Sequence, residues 1–293
     1  MYWQIQVARL AVMGHLPLGG ALRKFKRRLA GYAPDASNIA GTVDDLAAME
    51  QALAGLSRSF AGARVLEIGS GWFPTIPLAL VLRGAREVLM TDHERHLDDV
   101  TFATAVAHLR AHYPAFQALP AGARLQDFPL RYLAPFRPPE LPDGSVDFII
   151  SRTVLEHIEE AELKGLLGQL AVKLAPGGLM VHCIDHSDHL AHRDARIGML
   201  NFLTWPDWQH RLVNRLTREG ENRLCHSDYQ RLFAQAGLRV LAQGRTRHAP
   251  TAQGIGALRP RLSPRFQGRS DEDLATLRSL FVLAPAGAPA QHL

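Results

Sequence analysis

Glu67, Gly69, Ser70, Gly71 and Asp92 are the first residues whose types and spacing suggest chemistry. They fall in "LEIGSGWFP" (66–74) and "VLMTDHE" (88–94), at the ends of two short apolar runs. Closely spaced glycines after a strand let the backbone approach a ligand, and a carboxylate about 20 residues on accepts hydrogen bonds from ribose hydroxyls. Dinucleotide binders carry a third glycine for close helix packing, and Pro74 stands in its place. That disfavours a nicotinamide-dependent oxidoreductase and suits a nucleoside ligand without a pyrophosphate.

The second constellation is "VHCIDHSDHLAHRD" (181–194). His186, His189 and His192 alternate with Asp185, Asp188 and Asp194. One reading is a general base, His189 or His186, oriented by Asp188 or Asp185. A second is a divalent-metal site, and a third is a polar loop start. The spacing matches no zinc signature, so no metal is expected. His157, in "LEHI", is a further candidate base, or a residue that packs or caps its helix. In the next stretch Trp205 can stack on a sugar or flat ring, or belong to the core. Arg223 can clamp a carboxylate or phosphate.

These residues need elements to hold them. Strands are predicted at 64–68, 86–91, 130–133, 146–151, 179–184, 238–243 and 280–283. Helices are predicted at 74–83, 95–112, 156–174 and 228–236, the last opened by a capping box in "SDYQ" and stopped by Gly237. A short helix starts at Ser270. Strand–helix alternation means an α/β domain with a mostly parallel sheet. Residues 1–60 read as a helical extension without a core of its own, 61–293 as the domain, and about 185–226 as an irregular insertion.

Five segments, in order, resemble the class I S-adenosylmethionine-dependent methyltransferases: "VLEIGSGWFP", "VLMTDHE", "LPDGSVDFIISRTVLEHI", "LAPGGLMVHCID" and "DYQRLFAQAGLRVL". The resemblance spans 61 to about 245 and is of the small-molecule, methyltransferase type 11-like kind. It implies a doubly wound, Rossmann-like sheet of seven strands and S-adenosyl-L-methionine as cofactor. It places Glu67, Gly69, Ser70 and Gly71 beside the methionine part, Asp92 on the ribose and His93 beside the adenine. Ser151 and Arg152 line the other side. The acid that often follows the third strand is missing. Asp127 or backbone groups take its adenine contact. The segment 182–224 also resembles methyltransferases of bacterial polysaccharide and secondary-metabolite pathways.

The expected activity is therefore methyl transfer to oxygen or nitrogen of a small molecule or saccharide. An RNA or protein methyltransferase is the alternative, although no "NPPY" motif or RNA-binding appendage is visible. A non-catalytic cofactor-binding adaptor is another. The 293 residues are 47 % apolar, which excludes a disordered chain. The net charge of +5 is compatible with several anionic partners. Arg23 to Arg28 packs five cations around one Phe, a solvated helix face or a surface for peripheral contact with anionic membrane. Nucleic acid is not expected as a partner. Two cysteines make no disulfide framework. With no signal peptide or spanning segment read, the expected location is cytoplasmic.

Overall fold

The computed structural model describes residues 2–15, 36–218 and 220–287. The basic run Arg23 to Arg28 lies outside them.

Seven strands form one sheet: β1 Arg64–Ile68, β2 Glu87–Thr91, β3 Leu130–Leu133, β4 Val146–Arg152, β5 Leu174–Asp185, β6 Leu238–Arg247 and β7 Thr276–Pro285. Their order is β3-β2-β1-β4-β5-β7-β6. β7 runs antiparallel to both its neighbours, and the other pairs are parallel. Strand order reverses between β1 and β4, where a doubly wound sheet opens a crevice at its carboxyl edge.

The helices are α1 Tyr2–His15, α2 Ala36–Ala54, α3 Thr75–Leu82, α4 Asp99–His112, α5 Glu160–Ala171, α6 Asp207–Thr217, α7 His226–Gln235, α8 Ala249–Leu258, α9 Pro264–Gln267 and α10 Asp271–Ala275. Among the described residues, no helix is long and apolar enough to cross a membrane. α4 starts late because Asp98 caps it, accepting the Thr101 N–H at 2.9 Å. α7 starts two residues before the predicted box, at Cys225, with Asp228 closing back on the Cys225 N–H at 3.1 Å. The predicted helix 156–174 divides into a 3-10 turn, Leu155–His157, and α5. The insertion contains α6, which the sequence reading takes as irregular.

Side-chain alternation along the strands feeds two cores. Val65, Val88, Phe148, Ile150 and Val181 face α2, α3 and α4. Leu66, Leu89, Ile149 and Met180 face α5 and α7. α2 shares the first core through Ile39, Leu46, Met49 and Leu53. A third cluster joins α1, the 190–213 segment and α8 to α10. These segments leave or enter the sheet at the carboxyl ends of β5 and β6 and the start of β7, so they form a cap over the edge where ligands bind.

Candidate active site

The chain turns out of β1 through Gly69 and Gly71, with φ of +75° and +69°. Gly69 and Ser70 donate backbone N–H groups to Thr91 O, each at 2.9 Å, tying this turn to β2. A Cβ on Gly69 would lie 2.5 Å from Val154 Cγ2, so the glycine lets the β1 turn seat against the β4 turn. A Cβ on Gly71 would meet no protein atom within 4 Å, in the cleft this residue lines.

Asp92 follows β2 directly and is buried. Its Oδ2 accepts the Gly71 N–H at 2.9 Å and the Tyr132 hydroxyl at 3.2 Å. Burial pushes its carboxyl up to about 6, against the Gly71 and Tyr132 hydrogen bonds. It is thus mainly ionised at neutral pH, and Oδ1 keeps its lone pairs. Glu67 is buried beside it and accepts the Ser70 hydroxyl. Burial pushes Glu67 up to about 8, opposed by Ser70 and aided by Asp92. A fixed anionic acceptor beside a glycine turn at the carboxyl edge fits a nucleoside's ribose. Asn38 and Thr42 of α2 and Arg152 line the same cleft. Arg152 is held by Asp45 of α2 at 2.6 Å.

Two expected cofactor contacts lie elsewhere. Ser151 has the strand parity of Ile149, so it points to the α5–α7 face, away from Glu67. There it is 1 % exposed and bonded to His182 Nδ1 at 2.8 Å. Asp127 precedes β3 at the amino edge of the sheet and caps its own turn through the Arg124 N–H at 2.7 Å. His93 is exposed beside Asp92, its ring 5.6 Å from His96, whose ring lies tilted 4.5 Å from that of Trp72.

A second polar cluster forms where the turns after β4 and β5 meet. His189 Nδ1 lies 3.1 Å from Glu221 Oε1, which also accepts the His189 backbone N–H at 2.8 Å. Burial, then His157, pushes His189 down to about 4. With Nδ1 facing the carboxylate, a neutral ring protonated at Nδ1 would leave the Nε2 lone pair available. The His157 ring stands 4.9 Å from that of His189. Glu156 is 4 % exposed, and its Oε1 accepts the Asp185 N–H at 3.3 Å. Burial pushes it up to about 8, opposed by a backbone hydrogen bond and aided by the Asp185 charge. Asp185 itself accepts from Ser187 and pairs with His192 at 3.5 Å; these contacts outweigh its burial and hold it well below the usual range. Glu156, His157 and His189 each offer a ligand atom, all within 4.8 Å of one another.

The remaining candidates are framework. His186 is buried with both nitrogens engaged, Nδ1 at 2.9 Å from Leu224 O and Nε2 at 2.7 Å from Ser279 Oγ, so it has no nitrogen for a substrate proton. Asp188 is fully buried. It accepts from Leu190 N at 2.8 Å, Phe202 N at 2.9 Å and Asn201 Nδ2 at 3.1 Å, and it pins the cap rather than orienting His189. Trp205 is 4 % exposed and packs on Trp3 at 4.8 Å inside the cap, not on a sugar. Arg223, 3 % exposed, donates to Phe202 O, Trp205 O and Asp207, which leaves it no reach to a ligand anion. Glu221 and Tyr132 are the site residues the sequence reading misses. Glu156 is also missed, although an acid inside the otherwise apolar "VLEHI" was a visible signal.

A Methyltransferase domain family model matches residues 41–243. No curated protein matches. Among solved structures, an S-adenosylmethionine-dependent methyltransferase from Mesorhizobium loti is 16 % identical, over 80 % of this chain and 95 % of that one, with a TM-score of 0.45. The 1,6-didemethyltoxoflavin-N1-methyltransferase of Burkholderia thailandensis is 13 % identical, over 82 % and 76 %, at 0.44. Geranyl diphosphate C-methyltransferase from Streptomyces coelicolor is 13 % identical, over 82 % and 79 %, at 0.46.

Proposed function

This chain belongs to the methyltransferase domain family, and we propose that it methylates an oxygen or nitrogen of a small molecule, saccharides included. It is an S-adenosylmethionine-dependent enzyme. When bound, the cofactor supplies an electrophilic methyl group on sulfonium. Asp92 would hold the ribose hydroxyls, with Gly71 and Tyr132 fixing its carboxylate. Glu67 and Gly71 would border the rest of the cofactor.

The observation that carries the reading is the Glu221–His189 pair, set at the carboxyl edge of β5 next to Glu156 and His157. An acceptor hydroxyl or amine must lose a proton as it takes the methyl group, and the protein supplies alignment and a sink for that proton. His189 Nε2 would draw the proton's charge away, directly or through a bound Lewis acid. The cap built from α1, α6 and α8 closes this edge and favours an acceptor small enough to enter beneath it.

The test is a panel of small alcohols, amines and sugars, with RNA and bulk protein in parallel, incubated with methyl-labelled cofactor. Label in a small molecule is expected. Label in RNA or protein alone would overturn the reading.

A further inference from the structure

We propose that Glu156, His157 and His189 form a site for a divalent transition-metal ion, zinc or a close relative, which binds and activates the methyl acceptor. The inference deepens the reading above and rests on it for the ion's role.

The ligand set is two imidazoles and one carboxylate. Three protein ligands of this type make an open site with room for water or substrate, whereas closed structural zinc sites use four. Ligand atoms about 2.0–2.2 Å from one ion stand roughly 3.3–3.6 Å apart. The three here lie within 4.8 Å, so each moves inward by about an ångström or less. His157 is exposed at the surface of its turn.

Two contacts already orient the ligands. Glu221 Oε1 faces His189 Nδ1 at 3.1 Å, the carboxylate–histidine arrangement that fixes the orientation of a metal-binding ring. The Asp185 N–H holds Glu156 Oε1 and so sets the direction of Oε2.

Glu156 Oε2 is the independent observation. It is a buried carboxyl oxygen with no hydrogen-bond partner, on a residue 96 % shielded from solvent. An orphaned oxygen of this kind keeps its full desolvation cost unless a ligand satisfies it. It borders a cavity of about 10 Å³ shared with His189, Glu221 and Asp185. That volume suits one ion or one water. Converging lone pairs favour the cation.

An acceptor hydroxyl bound to the ion ionises near neutrality, as metal-bound water does. The O–H bond breaks and the proton leaves to solvent. The oxygen then forms a bond to the methyl carbon as the C–S bond breaks, its electron pair staying on sulfur.

The full-length protein, stripped with a chelator, is titrated with Co²⁺, followed by visible absorption, and with Zn²⁺, followed by calorimetry. S-adenosylhomocysteine binding is measured on the same samples. With 14 histidines in the chain, weak surface binding is expected, so variants decide. One tight equivalent should bind, and Glu156→Gln and His157→Ala should each weaken it by about tenfold or more. His157→Ala removes an exposed ring, and its denaturant unfolding is measured beside wild type to check that the fold is kept. No tight equivalent, or affinity unchanged in both variants, overturns the site. If S-adenosylhomocysteine binds and metal does not, only the metal inference falls. If metal binds and S-adenosylhomocysteine does not, the methyl-transfer reading falls and takes the ion's catalytic role with it.

Discussion

Glu221 Oε1 accepts the backbone N–H of His189 at 2.8 Å and faces its Nδ1 at 3.1 Å, so one carboxylate oxygen fixes both the loop and the ring. The two residues are 32 positions apart. Glu221→Gln should keep the fold, because the amide oxygen can still accept the backbone N–H, while weakening the charge that holds the ring. Methyl transfer from labelled cofactor should fall ~10-fold or more with unchanged S-adenosylhomocysteine affinity. Equal loss of turnover and cofactor affinity would make Glu221 a general support of the cap.

The sheet was largely legible because each strand is a short apolar run bounded by turn residues, and β1, β2 and β4, covered by helices on both faces, are buried almost throughout. The glycine turn and Asp92 were legible for the same reason, as both sit at strand ends. Ser151 was misplaced by one step of parity. Adjacent residues on a strand point to opposite faces, so Arg152 reaches the α2 side and Ser151 the α7 side. The histidine cluster was harder. His186, His189 and His192 look equivalent in sequence, yet His186 is trapped by Leu224 and Ser279 and only His189 meets an acid with its Nε2 left over. That acid arrives from beyond α6, a tertiary contact with no local signal.

Asp92→Asn should weaken S-adenosylhomocysteine binding by roughly 1–3 kcal/mol, since the ribose hydroxyls lose a charged acceptor. Its carboxyl titrates near 6. The ionised form is the better acceptor, so affinity should be flat above about pH 7 and fall, by at most tenfold per unit, as pH drops through 6. Calorimetry across pH 5 to 8 checks this, and the Asn variant should lose the slope. A wild-type affinity independent of pH would remove Asp92 from the ribose.

Two buried groups set opposite pH dependences of stability. His182 is held down to about 3 by burial, so the folded chain refuses a proton the unfolded chain takes below 6.5. Its neutral form stabilises the fold above 6.5, and that advantage fades at about 1.4 kcal/mol per unit as pH falls toward 3. Glu67, raised from 4.5 to about 8, works the other way. Its folded form keeps a proton the unfolded chain releases, so stability drops as pH rises from 4.5 to 8. Denaturant unfolding at pH 5.5 and 7.5 separates them. The penalty of His182→Gln should shrink by about 1–2 kcal/mol at the lower pH, and Glu67→Gln should gain on wild type by roughly 2–3 kcal/mol at the higher. Parallel curves for wild type and both variants would contradict these titrations.

The two glycines of the β1 turn should respond differently to the same substitution. Both have positive φ, where a side chain costs roughly 1–2 kcal/mol. Gly69→Ala adds a collision, because its methyl would lie 2.5 Å from Val154 Cγ2 and 3.2 Å from Cγ1. Gly71→Ala meets no atom within 4 Å but enters the cleft from the residue whose N–H holds Asp92. Gly69→Ala should therefore be the more destabilised variant in denaturant unfolding, and Val154→Ala in the same chain should recover part of the difference by removing both colliding methyls. Gly71→Ala should lose little beyond the backbone cost and show the larger drop in S-adenosylhomocysteine affinity relative to its stability. Equal destabilisation of both variants, with no recovery in the double mutant, would mean that the turns after β1 and β4 do not pack as described.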